Sequence, residues 1–373
     1  LMRKNKDLQI AFGGKLNAYK LFLAKAINSI VREEGYVSFI FQNSFLADKQ
    51  AFTLRKTVLE NTQIKMLDSF PERDSKKKRV FESVKMSVCI LLLQKTKPVH
   101  SFVVNFWDDK YKSSGLTTKF LLQDIVGLDP ESYTIPRIDV CNIPLAVKVK
   151  SIYPKLDLHC FEGELNMTVH KKYFCEDVRL PMVLKGASVQ RYYWTTNMSQ
   201  GQVEYLRVSE FEKAFPNSEK IHHHQYERIA MQGMTGANDK VRIVACIIPK
   251  NIYLANSCNY LLPLVNFEIK AQLALLNSKL MNWYFKCFST NSNVNGYEVD
   301  GLPFLKLEKV QQDKLASLVN DLMNKNINKD TSALENQIDF LVYHLYGLTY
   351  DEVLIVDPET PISREEYEAY KEE

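Results

Sequence analysis

The 373-residue sequence has no long apolar run. Its longest runs, such as residues 88–93, are strand-sized and fall well short of the ~18 unbroken apolar residues that read as a membrane span. The N-terminal stretch lacks the charged, apolar and small-residue regions of a signal peptide. CxxC is absent, and the seven cysteines (Cys89, Cys141, Cys160, Cys175, Cys246, Cys258 and Cys287) are odd in number and widely scattered. That spacing excludes a disulfide framework and a zinc ribbon, and it points to a reduced, cytoplasmic setting. P-loop, GxGxxG, GxSxG and HExxH motifs are all missing, so none of their chemistries has its usual signature here. No internal repeat or low-complexity linker is present. The first residue is Leu1, as in an excised piece of a longer chain.

What is present is an ordinary globular composition, 46% hydrophobic and 25% charged. A chain of this length buries a sizeable core and is expected to hold two to three domains. The net charge of +4 hides an asymmetry. Residues 1–97 carry 19 lysines and arginines against 9 acidic residues, whereas residues 308–373 carry 6 against 15. A basic front suits a polyanion, and an acidic end suits solvent or a protein neighbour.

Apolar residues from Ala18 to Val31 recur at helical spacing, with Asn17 placed to cap and Gly35 to stop the helix. Residues 36–41 read as a strand, 52–59 as a second amphipathic helix and 64–67 as a short strand. A polar loop spans 69–83, and a longer strand is expected over 84–93. This order is the second half of an α/β sheet. From about residue 98 the pattern turns strand-rich and aromatic, with 241–248 and 252–255 expected as a strand pair. One helix is expected over 267–288, its apolar stripe belonging to the core. The end is helical, with a capping box of Ser332 and Glu335 before a run that Gly347 ends.

Few motifs carry chemistry unaided. Gly13-Gly14 precedes a helix, but an isolated glycine pair is ordinarily a turn. His222-His223-His224 has no spaced partners for a metal and reads as a solvated loop. Lys76-Lys77-Lys78-Arg79 followed by Phe81 is suited to gripping a phosphate backbone while a ring stacks on a base. On the chemistry of those residues alone, a solvated charge run with Phe81 in the core is the better reading.

The order of short motifs is more specific. Residues 15–19 (KLNAY), Phe22 to Ala26, Glu34 to Ile40, Asn43 to Leu46, Leu54-Arg55 and Val80-Phe81 resemble the stretch that follows the catalytic NPPY tetrad in TaqI-like, gamma-group DNA adenine-N6 methyltransferases. Residues 184–192 (LKGASVQRY) resemble the KG-x-x-I-x-R-Y element of their target-recognition domains. Glu227-Arg228-Ile229, residues 276–285 and Gly301 to Phe304 fit the same domain, and residues 341–348 resemble the end of long restriction–modification polypeptides.

The resemblance implies the C-terminal half of a class I methyltransferase-like sheet over 1–97, a mixed α/β target-recognition domain over 98–307 and a helical segment over 308–373. The cofactor's Gly-rich motif and NPPY would lie upstream of Leu1, and Gln42 stands where many relatives have proline. This chain alone is therefore expected to be inactive. In the complete enzyme the family transfers a methyl group from S-adenosylmethionine to N6 of an adenine flipped out of duplex DNA. Phe81 matches the aromatic that stacks on the extruded base. Phe22 matches the ring beside the cofactor's adenine, although a core helix position explains it equally. Asn17 and Tyr19 match the rim of the active site, and helix capping explains Asn17 as well. Lys76, Lys77, Lys78, Arg79, Lys185, Ser188, Gln190, Arg191, Arg228, Gln232, Thr235 and Lys240 become candidate DNA contacts, with Gly233 and Gly236 letting backbone approach the duplex. Two ordinary polar loops are the plain alternative for 185–192 and 228–240. No metal is expected for the methyl transfer. The expected partners are double-stranded DNA and a catalytic half, upstream or on a separate subunit. A non-enzymatic specificity module and an RNA-binding protein are the competing readings.

Overall fold

The computed structural model describes residues 4–14, 16–73, 75–197, 202–236, 240–289, 292–325 and 330–370. Lys15 and Asn238 lie outside the described residues. The chain forms two compact units, residues 1–150 with 286–292, and residues 151–285 with 293–373. No helix among the described residues is long and apolar enough to cross a membrane.

The first unit follows the order expected from the sequence. Helix α1 (Ala18–Lys25) begins where Asn17 Oδ1 accepts from the Tyr19 amide, and it runs on into a π-turn, Ala26–Ile30. Then come β1 (Tyr36–Gln42), α2 (Phe52–Asn61), β2 (Gln63–Phe70) and β3 (Val88–Gln94). β3 starts later than periodicity suggests, because Val84 and Met86 are exposed loop residues. It lies between β1 and β2 and is antiparallel to both. The sheet does not stop at residue 97. β4 (Ser101–Trp107) pairs parallel with β2, and β5 (Gly115–Leu121) closes the order β1-β3-β2-β4-β5. Alternation along β4 buries Phe102, Val104 and Phe106, which ties these strands to the unit. Helices α3 (Leu122–Leu128) and α4 (Ile143–Lys150) complete it, so the change of character at residue 98 is not a boundary between compact units.

Arg55, on α2, is fully buried. Its guanidinium donates to the carbonyls of Phe45 (2.6 Å), Asp48 (3.1 Å), Tyr133 (2.9 Å) and Ser132. Tyr133 has a φ of +51°, a conformation that costs a non-glycine residue energy. Arg55 thus holds a strained turn from beneath, which gives the Leu54-Arg55 motif a structural purpose.

The second unit is built from short elements: β6 (Lys155–Leu156), β7 (Cys160–Glu162), β8 (Phe174–Cys175), β9 (Met182–Leu184), β10 (Glu204–Leu206), α5 (Val208–Ala214), β11 (Arg228–Gln232), β12 (Ala245–Ile248), β13 (Tyr253–Leu254) and β14 (Cys258–Leu261). They form two four-stranded sheets, β12-β11-β14-β7 and β13-β9-β10-β8. Alternate residues of β9 and β13 serve two cores. Leu184 and Leu254 pack with Val189, Ala230 and Tyr260, while Val183 and Tyr253 pack with Leu165, Leu206 and Phe211. The segments 241–248 and 252–255 do contain strands, but these do not pair with each other. A turn through Asn251, at φ +64°, sends the chain from one sheet into the other.

The helix expected over 267–288 is two helices, α6 (Ile269–Asn277) and α7 (Lys279–Phe288). Ser278 is extended at ψ 152°; its hydroxyl donates to the Leu275 carbonyl (2.7 Å) and accepts from the Met281 amide (3.2 Å). One side chain therefore closes the first helix and caps the second. α8 (Gly296–Asp300), β15 (Phe304–Leu305), α9 (Lys309–Asn324), α10 (Ser332–Leu345), α11 (Tyr350–Val356) and α12 (Arg364–Ala369) follow. The N-cap position of α10 is Thr331, not Ser332; its hydroxyl caps no amide and donates instead to the Glu335 carboxylate at 2.9 Å. The tail belongs to the same compact unit as the residues before it.

Candidate nucleic-acid interface

In the first unit the loop after β2 rises from the sheet end where β1, β2 and β4 finish. Phe81 is 47% exposed rather than tucked into the core, with Val84 and Met86 exposed nearby. Lys76, Lys77 and Lys78 form one exposed turn. Arg79 folds back to donate to the Arg73 carbonyl at 2.6 Å. The loop leans on the β4–β5 hairpin, since the Lys110 amide donates to the Lys78 carbonyl (3.2 Å) and Lys78 Nζ lies 3.9 Å from Asp109. At the hairpin's base, the Ser114 hydroxyl and then the Arg137 and Arg73 guanidinium groups hold the Asp108 carboxyl below the usual carboxylate range. A neighbouring charge pair gave no motif in the sequence. Asp68, nearly fully buried at the end of β2, accepts from Lys112 Nζ (2.6 Å) and Asn105 Nδ2 (2.8 Å). Lys112 Nζ also sits 5.6 Å from the Trp107 ring and 5.7 Å from Phe70. The only sequence signal was an aspartate inside an otherwise apolar strand.

Near the start of the chain, Phe22 points outward, 65% exposed, and so is not a core helix residue. Tyr19 stacks on Phe41 at 4.9 Å, and Asn17 reaches Gln42 Oε1 at 3.4 Å while capping the helix. Gly13-Gly14 is a turn packed on Gln50. Gly14 has a φ of +59°, and a Cβ there would stand 2.6 Å from the Gln50 side chain.

In the second unit, segments 185–192 and 228–236 do come together. Gln232 Nε2 donates to the Val189 carbonyl at 2.7 Å. Both segments also meet the turn before β14. A Cβ on Gly186 would lie 2.5 Å from the Ser257 carbonyl oxygen, and one on Gly233 2.9 Å from the same atom. The Gly233 amide bonds that carbonyl, and the Gly186 amide bonds the Ser257 hydroxyl. The close approach that these glycines permit is therefore made to the chain's own backbone.

Several predicted contact residues are committed inside the unit. Arg228 has no exposed surface. It pairs with buried Glu164, donates to the Ile252 carbonyl (2.6 Å) and lies over the Tyr260 ring at 4.6 Å. Thr235 is buried between the carbonyl and guanidinium of Arg242, a buried arginine that no sequence motif singles out. Ser188 is 2% exposed. Lys185 pairs with Glu204 (2.7 Å), and Arg191 with Glu335 (2.6 Å). Gln190 stays half-exposed and Lys240 exposed. Tyr193 and Met234 join them as exposed residues without a motif. The triple histidine is not a solvated loop, since His223 Nδ1 meets the Tyr260 hydroxyl (2.7 Å) and His224 stacks on Tyr253 at 4.5 Å. Burial holds both imidazoles below their usual pKa. Among the described residues no group of three His, Cys, Asp or Glu is placed to hold a metal ion.

Residues 2–76 match the family model of the Eco57I restriction-modification methylase, and residues 181–303 match that of the TaqI-like C-terminal specificity domain. The chain is thus similar to a restriction–modification methylase over residues 2–76 and to a specificity domain over 181–303. Among solved structures, the Type IIL restriction-modification enzyme MmeI, in complex with DNA, aligns with 96% of this chain and 54% of its own, at 10% identity and TM-score 0.53. The type IIG restriction endonuclease BpuSI aligns with 95% and 51%, at 10% identity and TM-score 0.36. The ATP-dependent Type ISP enzyme LlaBIII, bound to DNA, aligns with 87% and 28%, at 8% identity and TM-score 0.48. This chain spans about half the length of the first two structures. The likeness to MmeI concerns the fold alone. No curated protein sequence matches significantly.

The specificity-domain match ends at residue 303, but the polar network around Arg191 continues into the helices that follow it. Asp339 on α10 accepts from the Lys279 amide at 2.7 Å, and Lys279 Nζ pairs with Asp357 at 2.7 Å. Burial pushes the Asp339 carboxyl up to about 7, against the opposing pull of Lys279 and Arg191 and with Asp357 adding to the rise. Glu335, Tyr192 and Tyr343 are further titratable groups nearby. A carboxyl whose pKa is raised on folding binds its proton more tightly in the folded state, so its contribution falls as pH rises from about 4 to about 7. Asp339→Asn keeps an acceptor for the Lys279 amide and removes that slope. In chemical denaturation the variant is expected to gain on the wild type between pH 4 and pH 8, by at most ~4 kcal/mol. Parallel stability curves for the two proteins over that range would show that Asp339 titrates normally.

Proposed function

We propose that this chain is the C-terminal portion of a sequence-specific DNA adenine-N6 methyltransferase of a restriction–modification system. The first unit completes the methylase sheet and supplies the wall of the base-flipping pocket, and the second reads the DNA sequence. The observation that carries this reading is the loop at the sheet end, where an open Phe81 ring stands in one loop with three solvent-facing lysines. A free aromatic face replaces the stacking that an extruded adenine loses, while the cations neutralise phosphates. When bound in the complete enzyme, S-adenosylmethionine supplies the methyl group. The exposed Phe22 ring fits the role of stacking on its adenine.

The catalytic half is then a required partner. β1 is one of the two edge strands of the sheet, and Tyr36 and Ile40 on it are exposed, as are Phe22 and Ile30 on the preceding helical segment. An apolar, unpaired edge of this kind favours a covered state. That surface, with the methylase match over residues 2–76, favours this reading over a free-standing specificity module.

The test is selection of a randomised duplex DNA pool on the full chain at moderate salt, followed by sequencing. Enrichment of a short motif containing adenine is expected. Weak binding that vanishes as salt rises, with no motif, would defeat the reading, and preference for single-stranded RNA would replace it with the RNA alternative. In the same assay, replacing Lys76, Lys77 and Lys78 together by glutamine is expected to weaken binding to all sequences alike. It should flatten the dependence of log affinity on log salt by about 3. An unchanged slope would remove this loop from the interface.

A further inference from the structure

The segment 186–193 is a tight turn held on all sides by named contacts. Val189 bridges to Trp194, the Gln190 amide bonds the Tyr193 carbonyl (2.9 Å), and Tyr192 has a φ of +68°. Tyr192 is buried, and its amide bonds the Ala245 carbonyl at 2.9 Å. Asn277, the last residue of α6, grips the amide and carbonyl of Ala245 through its side chain (3.1 and 2.9 Å). The Asn277 carbonyl in turn accepts from Arg191 Nη1 at 2.7 Å. Two other Arg191 donors, Nε and Nη2, go to one oxygen of Glu335, at 3.1 and 2.6 Å. Glu335 belongs to α10, beyond the reach of the specificity-domain match.

Glu335 and Asp339 are four residues apart, so they share one face of α10. The first holds Arg191, and the second holds the amide of Lys279 just past the α6–α7 break. One helix face thus grips both sides of the turn's support. The side chains that the turn presents toward solvent are Gln190, whose Nε2 donates to the Ala187 carbonyl (3.1 Å), and Tyr193; they flank Arg191 and Tyr192 in the chain.

We infer that Glu335 is a positioning residue for sequence readout: through Arg191 it fixes the turn that presents Gln190 and Tyr193, and the tail over 308–370 is a functional part of the specificity unit. The inference rests on the reading of the second unit as the DNA reader.

The experiment compares wild-type chain with Glu335→Gln in the randomised-duplex selection, with thermal unfolding and amide hydrogen exchange run beside it. The variant is expected to stay folded and to keep its affinity for non-specific duplex. Its base discrimination should fall at least fivefold at one or more positions of the motif, and the amides of Val189, Tyr192 and Thr195 should exchange at least tenfold faster while those of β11 and β14 do not. The pair Arg191→Glu with Glu335→Arg should regain part of the lost discrimination. If wild type selects a motif and Glu335→Gln selects it with equal discrimination, Glu335 is a brace and nothing more. If wild type selects no motif, the DNA-reader assignment fails first and takes this inference with it. Should Glu335→Gln unfold, Glu335→Asp takes its place with the same readouts: lost discrimination supports the inference, and unchanged discrimination overturns it.

Discussion

Arg228→Met is expected to destabilise the second unit by about 3–5 kcal/mol, enough to unfold much of it at 37 °C. The loss comes from what stays behind. Glu164 is as buried as Arg228, and one of its oxygens also accepts from the Leu254 amide at 2.9 Å. Without the guanidinium, a carboxylate is left in a low-dielectric core between two sheets, where it must protonate or draw in water. Arg228→Met with Glu164→Leu removes both charges and should recover most of that stability. Chemical denaturation of the two variants measures the difference, and duplex binding by the double variant separates structure from readout. Arg228 resembles a DNA contact in sequence, so a stable single variant that loses only DNA affinity would restore that assignment. The geometry predicts the reverse: unstable alone, and competent once its partner is removed too.

Arg55→Ala should cost the first unit a comparable amount, at least ~4 kcal/mol. Four carbonyl oxygens from two chain segments converge on this one guanidinium, and each would be left buried without its charged donor. The turn at Tyr133 would also lose what offsets its left-handed backbone. Lysine cannot reproduce the fork, so Arg55→Lys should rescue only a small part. Urea denaturation followed by a signal from the first unit checks both, and a loss below 1 kcal/mol for Arg55→Ala would show that water replaces the guanidinium.

These two arginines also mark where the sequence could and could not be read. The helix and strand series of the first unit was legible because its apolar residues keep their period; the exposure of Phe81 was not, because the local residues alone favoured a place in the core. The order of methylase-like and specificity-like segments was legible as well. Whether an arginine faces solvent or a buried carboxylate was not, because that depends on a partner 64 residues away for Arg228 and 144 away for Arg191. The single helix expected over 267–288 failed for a local reason: one serine hydroxyl is sufficient to end a helix and begin another, and apolar periodicity passes straight over it. The sheet was expected to end near 97 because composition changes there. The parallel pairing of β4 with β2 leaves no trace in composition.

The Ser257 carbonyl has a consequence for anyone who exchanges segments between related specificity domains. Gly186 and Gly233 both close onto that one oxygen, and the Ala255 amide ties the same turn to Leu184. Three stretches distant in the chain are therefore cut to a single template with no room for a side chain. Segments 185–192 and 228–236 cannot be grafted one at a time onto a foreign scaffold and keep their shape. The transferable cassette is all three stretches together, with residues 255–258 as its keystone.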